Sequence, residues 1–524
     1  MKLASSRLRR LSLLFVGLAS VLALIMTLRA QPQTPPATVT LCVNASVLPG
    51  GAKDGSSWAN AFDSLVLALA AAPSGARLWV AQGTYTVPPP VPPAVQTEGF
   101  KITKPLKLYG GFFGDENSVE GRHGSFQGTL LNGDRFFDDA SGSYSDNANH
   151  VVEIETIDAD GDDVAVVIDG FRIANGHGLL IPPPYTHNGG GIWAHCSDLH
   201  VANCFFDHNR GLDGGAIWFV SGCTTLPYPP ALPEALTSIL RVETCEFFAN
   251  RADDKGGAIF AERVKGWVVN SKFVQNLGHA GGGAAFVWMM RQGHTLDFTN
   301  CLFWENYCTS VTSQGGALEF GQASSAVGDV ARSNVVNCTF AGNNINRDYQ
   351  SGSGPTCAAG QAVAVSANSA IGLYNSILWY NHDLCANLCN VSSAAPIAGN
   401  PVVEYCDVEW GWSGVTNLSV IPLFTAGHPV QTTFIAGCAP PPSVSIPLLT
   451  LRKASSTTAG SQCIDYGDHL RLPLDYADLD ADGVTNEILP VDLLESNRYV
   501  NRTGWDEDVP AGVDFLDMGC YERP

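Results

Sequence analysis

Positive charge is scarce in this chain, with 29 Lys and Arg against 50 Asp and Glu, and charged residues of both signs make up only 15%. A surface for nucleic acid or anionic lipid needs clustered cations, so both partner classes are disfavoured. Long amphipathic helical patterns are nearly absent, which argues against a helical bundle. Uncharged apolar runs of about 18 residues, long enough to span a bilayer, are missing beyond residue 30. Any membrane contact is therefore expected through the N-terminal segment alone, if that segment stays uncleaved.

That segment has its own character. Lys2, Arg7, Arg9 and Arg10 precede the uncharged apolar run Leu11–Leu28, and Pro-rich polar residues follow Ala30. This order reads as a secretory signal over residues 1–30, placing the chain outside the cell or on its surface. Residues 1–30 hold five of the cations and no acid, so the remainder carries 24 cations against 50 acids.

What is abundant is Gly (54) and Pro (31), as in a turn-rich β protein. Two short patterns alternate through the middle of the chain. One is Gly-Gly-small-aliphatic, at Gly189–Ile192, Gly214–Ile217, Gly256–Ile259, Gly282–Ala285 and Gly315–Leu318. The other is an apolar residue with Asn three positions later: Phe206/Asn209, Phe247/Asn250, Phe273/Asn276, Phe303/Asn306, Phe340/Asn343 and Leu378/Asn381. Cys204, Cys245, Ser271, Cys301, Cys338 and Ser376 stand two residues before these apolar positions, and Asn often stands just ahead of them. Successive glycine pairs lie 25, 42, 26 and 33 residues apart.

A short period with variable insertions marks a solenoid. The expected fold is an all-β, right-handed parallel β-helix. Like residues of consecutive coils stack about 4.8 Å apart, so inward Phe and Ile build a core that no single coil could bury. Stacked Asn side chains at a bend form a ladder, tolerate left-handed backbone and satisfy the neighbouring bend. Small Cys and Ser fill the narrow part of each coil as packed thiols and hydroxyls. The vertical spacing also permits bridges between Cys204 and Cys245 or Cys301 and Cys338. Cys223, Cys308, Cys357, Cys385 and Cys389 read as loop positions suited to disulfides.

The domain reading is a signal at 1–30, an N-terminal cap and first coils at 31–135, repeats at 136–420, and a C-terminal coil or cap at 421–524. A helix is expected over Phe62–Ala72, followed by strands at Leu78–Ala81, Phe100 and Leu106.

With these residues laid out, the chain resembles bacterial β-helix proteins of the choice-of-anchor Q type. The carriers are Asp54-Gly-Ser-Ser-Trp-Ala-Asn-Ala-Phe, Trp79-Val-Ala-Gln-Gly-Thr-Tyr, Leu108-Tyr-Gly-Gly-Phe-Phe-Gly, Cys463-Ile-Asp-Tyr-Gly-Asp and Asp517-Met-Gly-Cys-Tyr-Glu. The Gly-Gly-Ala-Ile and Phe-x-x-Asn repeats are similar to those of chlamydial polymorphic membrane proteins, which are surface adhesins. The resemblance implies a β-helix at a secreted or surface location and no settled activity. No C-terminal barrel pattern or sorting motif is read after Glu522.

Two constellations carry possible chemistry. Asp478, Asp480 and Asp482, with Gly483 and Glu487, follow the 1-3-5 oxygen spacing of a Ca²⁺ loop, although Leu489 stands where the bidentate Glu belongs. Asp158, Asp160 and Asp162 form a weaker copy. Ca²⁺ is the expected cofactor of either loop, as a structural ion. One residue after each repeat aliphatic come Trp193, Trp218, Phe260, Phe286 and Glu319. Strand alternation points this column outward, as a platform for sugar rings. Polysaccharide or a host or envelope surface is the expected partner, with adhesion favoured over a polysaccharide lyase or hydrolase. His177, His187, His195 and His208 read as scattered surface residues, and no catalytic constellation is assigned.

Overall fold

The computed structural model describes residues 38–89, 99–155, 166–178, 188–221, 238–289, 293–310, 313–322, 331–345, 362–366, 369–379 and shorter stretches between 381 and 520. Its strands lie in four parallel sheets. Following one coil from Leu199, the chain crosses sheet I (Leu199–Ala202), sheet II (Phe205–Asp207), sheet III (Arg210–Gly211) and sheet IV (Ile217–Val220). The next coil repeats the course and pairs in parallel with the first, Phe206 opposite Phe247 and Ile217 opposite Ile259. Among the described residues, sheet I stacks eleven strands in chain order from Thr40–Val43 to Val402–Glu404. The expected parallel β-helix is therefore the fold.

The interior follows from vertical stacking. Phe206, Phe247, Phe273, Phe303 and Phe340 are fully buried. Their rings stack at centroid spacings of 4.9, 4.7, 4.8 and 4.6 Å, with interplanar angles of 10° or less. Ile192, Ile217, Ile259, Ala285 and Leu318 line the opposite wall, equally buried. One apolar cluster runs from Val43 to Val408. At its N-terminal end, helix α1 (Leu65–Ala71) buries Leu65, Ala68 and Leu69 against that cluster. Its N-cap is Ser64, whose Oγ accepts from the Leu67 amide. The helix lies within the expected span and is shorter at both ends.

The asparagines divide into two columns with separate tasks. Asn209, Asn250, Asn276, Asn306, Asn343 and Asn381 are all fully buried. In this column each Nδ2 donates to Oδ1 of the next coil's Asn, at 3.0, 3.1, 2.9, 3.0 and 2.9 Å in turn. The left-handed backbone falls on the residue before, as at His208, Ala249, Gln275 and Glu305. The second column is Asn203, Asn270, Asn300, Asn337 and Asn375, each with φ near +50° at the corner between sheets I and II. Asn reaches this region more readily than other side-chain-bearing residues. The sequence reading had merged the two tasks in one position.

The Cys/Ser column is polar as well as small. Cys204, Cys245, Cys301 and Cys338 are buried free thiols, as expected. Each donates to the carbonyl two residues back, as Ser271 and Ser376 do through their hydroxyls. Cys308 corrects the sequence reading, since it is a buried free thiol in the strand Tyr307–Cys308 of sheet III. Cys223, Cys357, Cys385 and Cys389 lie outside the described residues.

The described parts of the C-terminal segment pack along the outer face of sheet II. Phe424, Leu451, Cys463, Met518 and Cys520 join Leu302, Trp304, Ile377 and Trp379 in a second apolar cluster. The Gly519 amide donates to the Asn375 carbonyl, and Asn337 Nδ2 donates to the Gly519 carbonyl. Asn375 and Asp468 exchange hydrogen bonds of 2.8 Å. The left-handed Asn corner thus doubles as the docking rail for the returning chain.

Candidate functional site

Sheet IV alternates strictly, so Ile192, Ala194, Ile217 and Phe219 face the core while their neighbours face out. Parallel pairing places Trp193, Trp218, Phe260, Phe286 and Glu319 in one vertical column. The Trp193 and Trp218 indoles stack at 5.5 Å and 12°, and the Phe260 and Phe286 rings at 5.6 Å and 6°. The column faces outward as expected, but its exposure is uneven. Trp193 and Trp218 are partly exposed, whereas Phe260 and Phe286 keep only 5% and 2% of their surface. Solvent reaches the tryptophans and hardly the phenylalanines. The reason lies in the neighbouring column: Val220 and Trp288 pack on the phenylalanines, and the Lys255 ammonium lies 5.5 Å from the Phe286 centroid. Beside the tryptophans stands His195, 5.8 Å from the Trp193 ring.

Below the phenylalanines the face turns ionisable. Lys255 stands one residue before its glycine pair, in vertical register with Asp213, whose Oδ1 accepts the Lys255 amide at 3.1 Å. The Lys255 ammonium lies 3.4 Å from Asp254. Glu319 packs against Gly281: a Cβ there would come within 2.1 Å of Glu319 Oε2. That oxygen is shielded from solvent and has no hydrogen-bond partner. Burial first, and then the charge of Asp254, raise the Glu319 carboxyl to about 8 and Asp213 to about 6 against the opposing pull of Lys255. Glu319, protonated at neutral pH, and Asp213, held above its ordinary range, therefore share this face with the Lys255 ammonium. The sequence reading placed Glu319 at the end of the outward column without Lys255, Asp213 or Asp254 beside it. Counting from the glycine pairs would have placed Lys255 beside Asp213.

The described histidines of this group do not form a cluster. His195 and His208 sit outward, the latter on Asp207 at 3.0 Å. His177 departs from the surface reading: it is 7% exposed, its ring meets Tyr144 edge-on at 5.0 Å, and burial lowers its pKa to about 4. His187 lies outside the described residues. So do Asp478, Asp480, Asp482 and Glu487, and also Asp158, Asp160 and Asp162.

Two described groups could offer a metal three ligands. Asp115, Glu116 and His123 form the first. Glu116 is already committed there, accepting three backbone amides of residues 113–115. Asp134, Asp138 and Asp139 form the second, in the loop that joins sheet II (Thr129–Asn132) to sheet IV (Val152–Glu155). Phe136 and Phe137 on that loop are 74% and 64% exposed. No described helix is long and apolar enough to cross a membrane. Comparison with protein-family profiles and with curated proteins finds no match.

Proposed function

We propose that this chain is an exported, surface-exposed binding protein that contacts extracellular polysaccharide through the outer face of sheet IV. The observation that carries the reading is the Trp193–Trp218 pair, two near-parallel indoles 5.5 Å apart and partly exposed. Such rings offer large apolar faces with polar edges, matching the alternating C–H and hydroxyl faces of a sugar. The rigid coil fixes their spacing, so little entropy is lost on binding. The signal-like N-terminus, the cation-poor composition and the resemblance to surface β-helices support the exported location. Adhesion or envelope contact is the role this implies.

Affinity electrophoresis through gels containing acidic and neutral polysaccharides tests it. The parent is expected to be retarded by at least one polymer, and Trp193→Ala/Trp218→Ala to run freely. Retardation that survives the double substitution would remove the proposal.

A second reading, a polysaccharide lyase or hydrolase, draws on the group formed by Lys255, Asp213, Asp254 and Glu319. A carboxyl near neutrality can act as general acid, and glycoside hydrolysis uses such a carboxyl paired with a second one. Incubation with the same polymers, followed for unsaturated products and new reducing ends, separates the two. Turnover abolished by Glu319→Gln would favour the enzyme.

A further inference from the structure

On the outer face of sheet I, parallel register sets Arg77, Lys107, Val167, His200, Arg241 and Trp267 in one vertical column. Alternation turns this column outward, since the strand neighbours Leu199, Val201, Leu240 and Val242 are fully buried in the core. The column carries no acid until Asp297 follows Trp267. The chain as a whole has 50 acids against 29 cations, so a run of this sign stands out from its composition.

The neighbouring outward column offers Asp169 and Glu243 on these coils, and both are already engaged. Arg122 grips Asp169 through two hydrogen bonds of 2.8 Å. Glu243, only 8% exposed, accepts from His200 Nε2 at 2.7 Å and from Trp267 Nε1 at 3.0 Å, one on each oxygen. Arg241 lies over the Trp267 ring, its guanidinium 5.1 Å from the centroid. Its Nη1 is shielded from solvent and donates to no acceptor. Among the described residues neither Arg241 nor Lys107 has an acid partner, whereas Arg77 is drawn by the exposed Glu120. A guanidinium held in place with a shielded donor unused is a charge without its counterion.

We infer that Lys107, His200 and Arg241 bind carboxylates of an acidic polysaccharide, a uronate polymer laid along the solenoid axis on sheet I. A planar carboxylate matches the guanidinium fork and supplies the acceptors that Arg241 lacks. The Glu243 carboxylate beside the site repels a dianion such as phosphate more than a monoanion. Lys107 stands two coils from His200, roughly 10 Å along the axis, so the cations suit successive charges of a polymer better than one small anion. Glu243 also braces His200 and Trp267, so little side-chain freedom is lost on binding. The chain-wide deficit of cations disfavours nucleic acid as the polyanion. This site does not rest on the Trp193–Trp218 reading, which concerns sheet IV.

The test is calorimetric titration of the full chain with oligogalacturonate, its methyl ester, dextran sulfate and single-stranded DNA, with thermal melts in parallel. The parent is expected to bind oligogalacturonate and not the uncharged ester. Arg241→Gln should weaken that binding at least about tenfold, the worth of a charge-assisted hydrogen bond. Arg241→Lys keeps the charge, loses the fork and should weaken it nearly as much. Lys107→Gln should weaken it severalfold while melting like the parent, and so carries the test even if Arg241→Gln unfolds. Lys272→Gln on sheet II removes an equal charge and should leave the affinity unchanged, as should Trp193→Ala/Trp218→Ala. Absence of binding by the parent, or parent-like affinity in both Arg241→Gln and Lys107→Gln, overturns the site. Tighter binding of dextran sulfate or DNA than of oligogalacturonate overturns it as well.

Discussion

Asn250 and Asn276, one coil apart, share an amide hydrogen bond of 3.1 Å that is closed to solvent at both residues. The same Asn276 Oδ1 accepts the Asn250 main-chain amide at 3.1 Å, while Asn276 Nδ2 reaches the Phe247 carbonyl and Asn306. Every donor and acceptor of the side chain is used. Asn276→Leu leaves several buried groups unpaired at once, each costing about 1–3 kcal/mol. A loss of about 3 kcal/mol or more is expected in urea denaturation. A change below about 1 kcal/mol would mean that water replaces the ladder.

Ser271 tests the polar role of the small column. Its Oγ accepts the Cys245 amide at 3.1 Å and donates to the Val269 carbonyl at 2.9 Å. Ser271→Cys keeps both kinds of contact, as the cysteines elsewhere in the column do, and should melt close to the parent. Ser271→Ala orphans the Cys245 amide and should cost about 1–3 kcal/mol. Equal melting of the two variants would leave size as the only requirement.

Trp218 and Phe286 occupy equivalent positions with opposite expected outcomes. Trp218→Ala should weaken polysaccharide retention with little change in melting temperature. Phe286→Ala removes a ring that is 2% exposed and should destabilise by about 3–5 kcal/mol. Paired gel retardation and thermal melts check both. A stable Phe286→Ala that loses retention would move the binding surface down the column.

Glu319 predicts a pH dependence. Its folded pKa is about 8 against the ordinary 4.5, so the folded chain holds this proton more tightly than the unfolded chain between those values. Its contribution is complete below about pH 4.5 and is lost as pH rises towards 8. His177, lowered from 6.5 to about 4, acts in the opposite sense below 6.5. The window from 6.5 to 8 is therefore the clean one. Glu319→Gln should flatten the fall in melting temperature there and melt above the parent at pH 8. An unchanged slope would show that Glu319 ionises normally.

Much of the fold was legible because a β-helix writes its geometry as a repeat. Phe206, Phe247 and Phe273 recur at the same offset from Asn209, Asn250 and Asn276, and the structure puts each set in vertical register. The outward direction of Trp193 and Trp218 followed from alternation alone. The open face was only half legible. Phe260 and Phe286 obey the same alternation, yet Trp288, Val220 and Lys255 cover them, and that cover comes from side-chain reach across coils. Cys308 was misplaced because its two-residue strand is too short to show a period.

The sequence by itself determined the coil, its inward column and its Asn and Cys/Ser ladders, since each is a local rule repeated at nearly constant spacing. Tertiary structure decided which charges meet. Lys255, Asp213 and Glu319 lie on three different coils, and Asp134, Asp138 and Asp139 converge only because the loop wraps a buried carboxylate. Variable insertions between coils hide such neighbours from any fixed period. Proximity across the stack is set by the axis of the helix and not by distance along the chain.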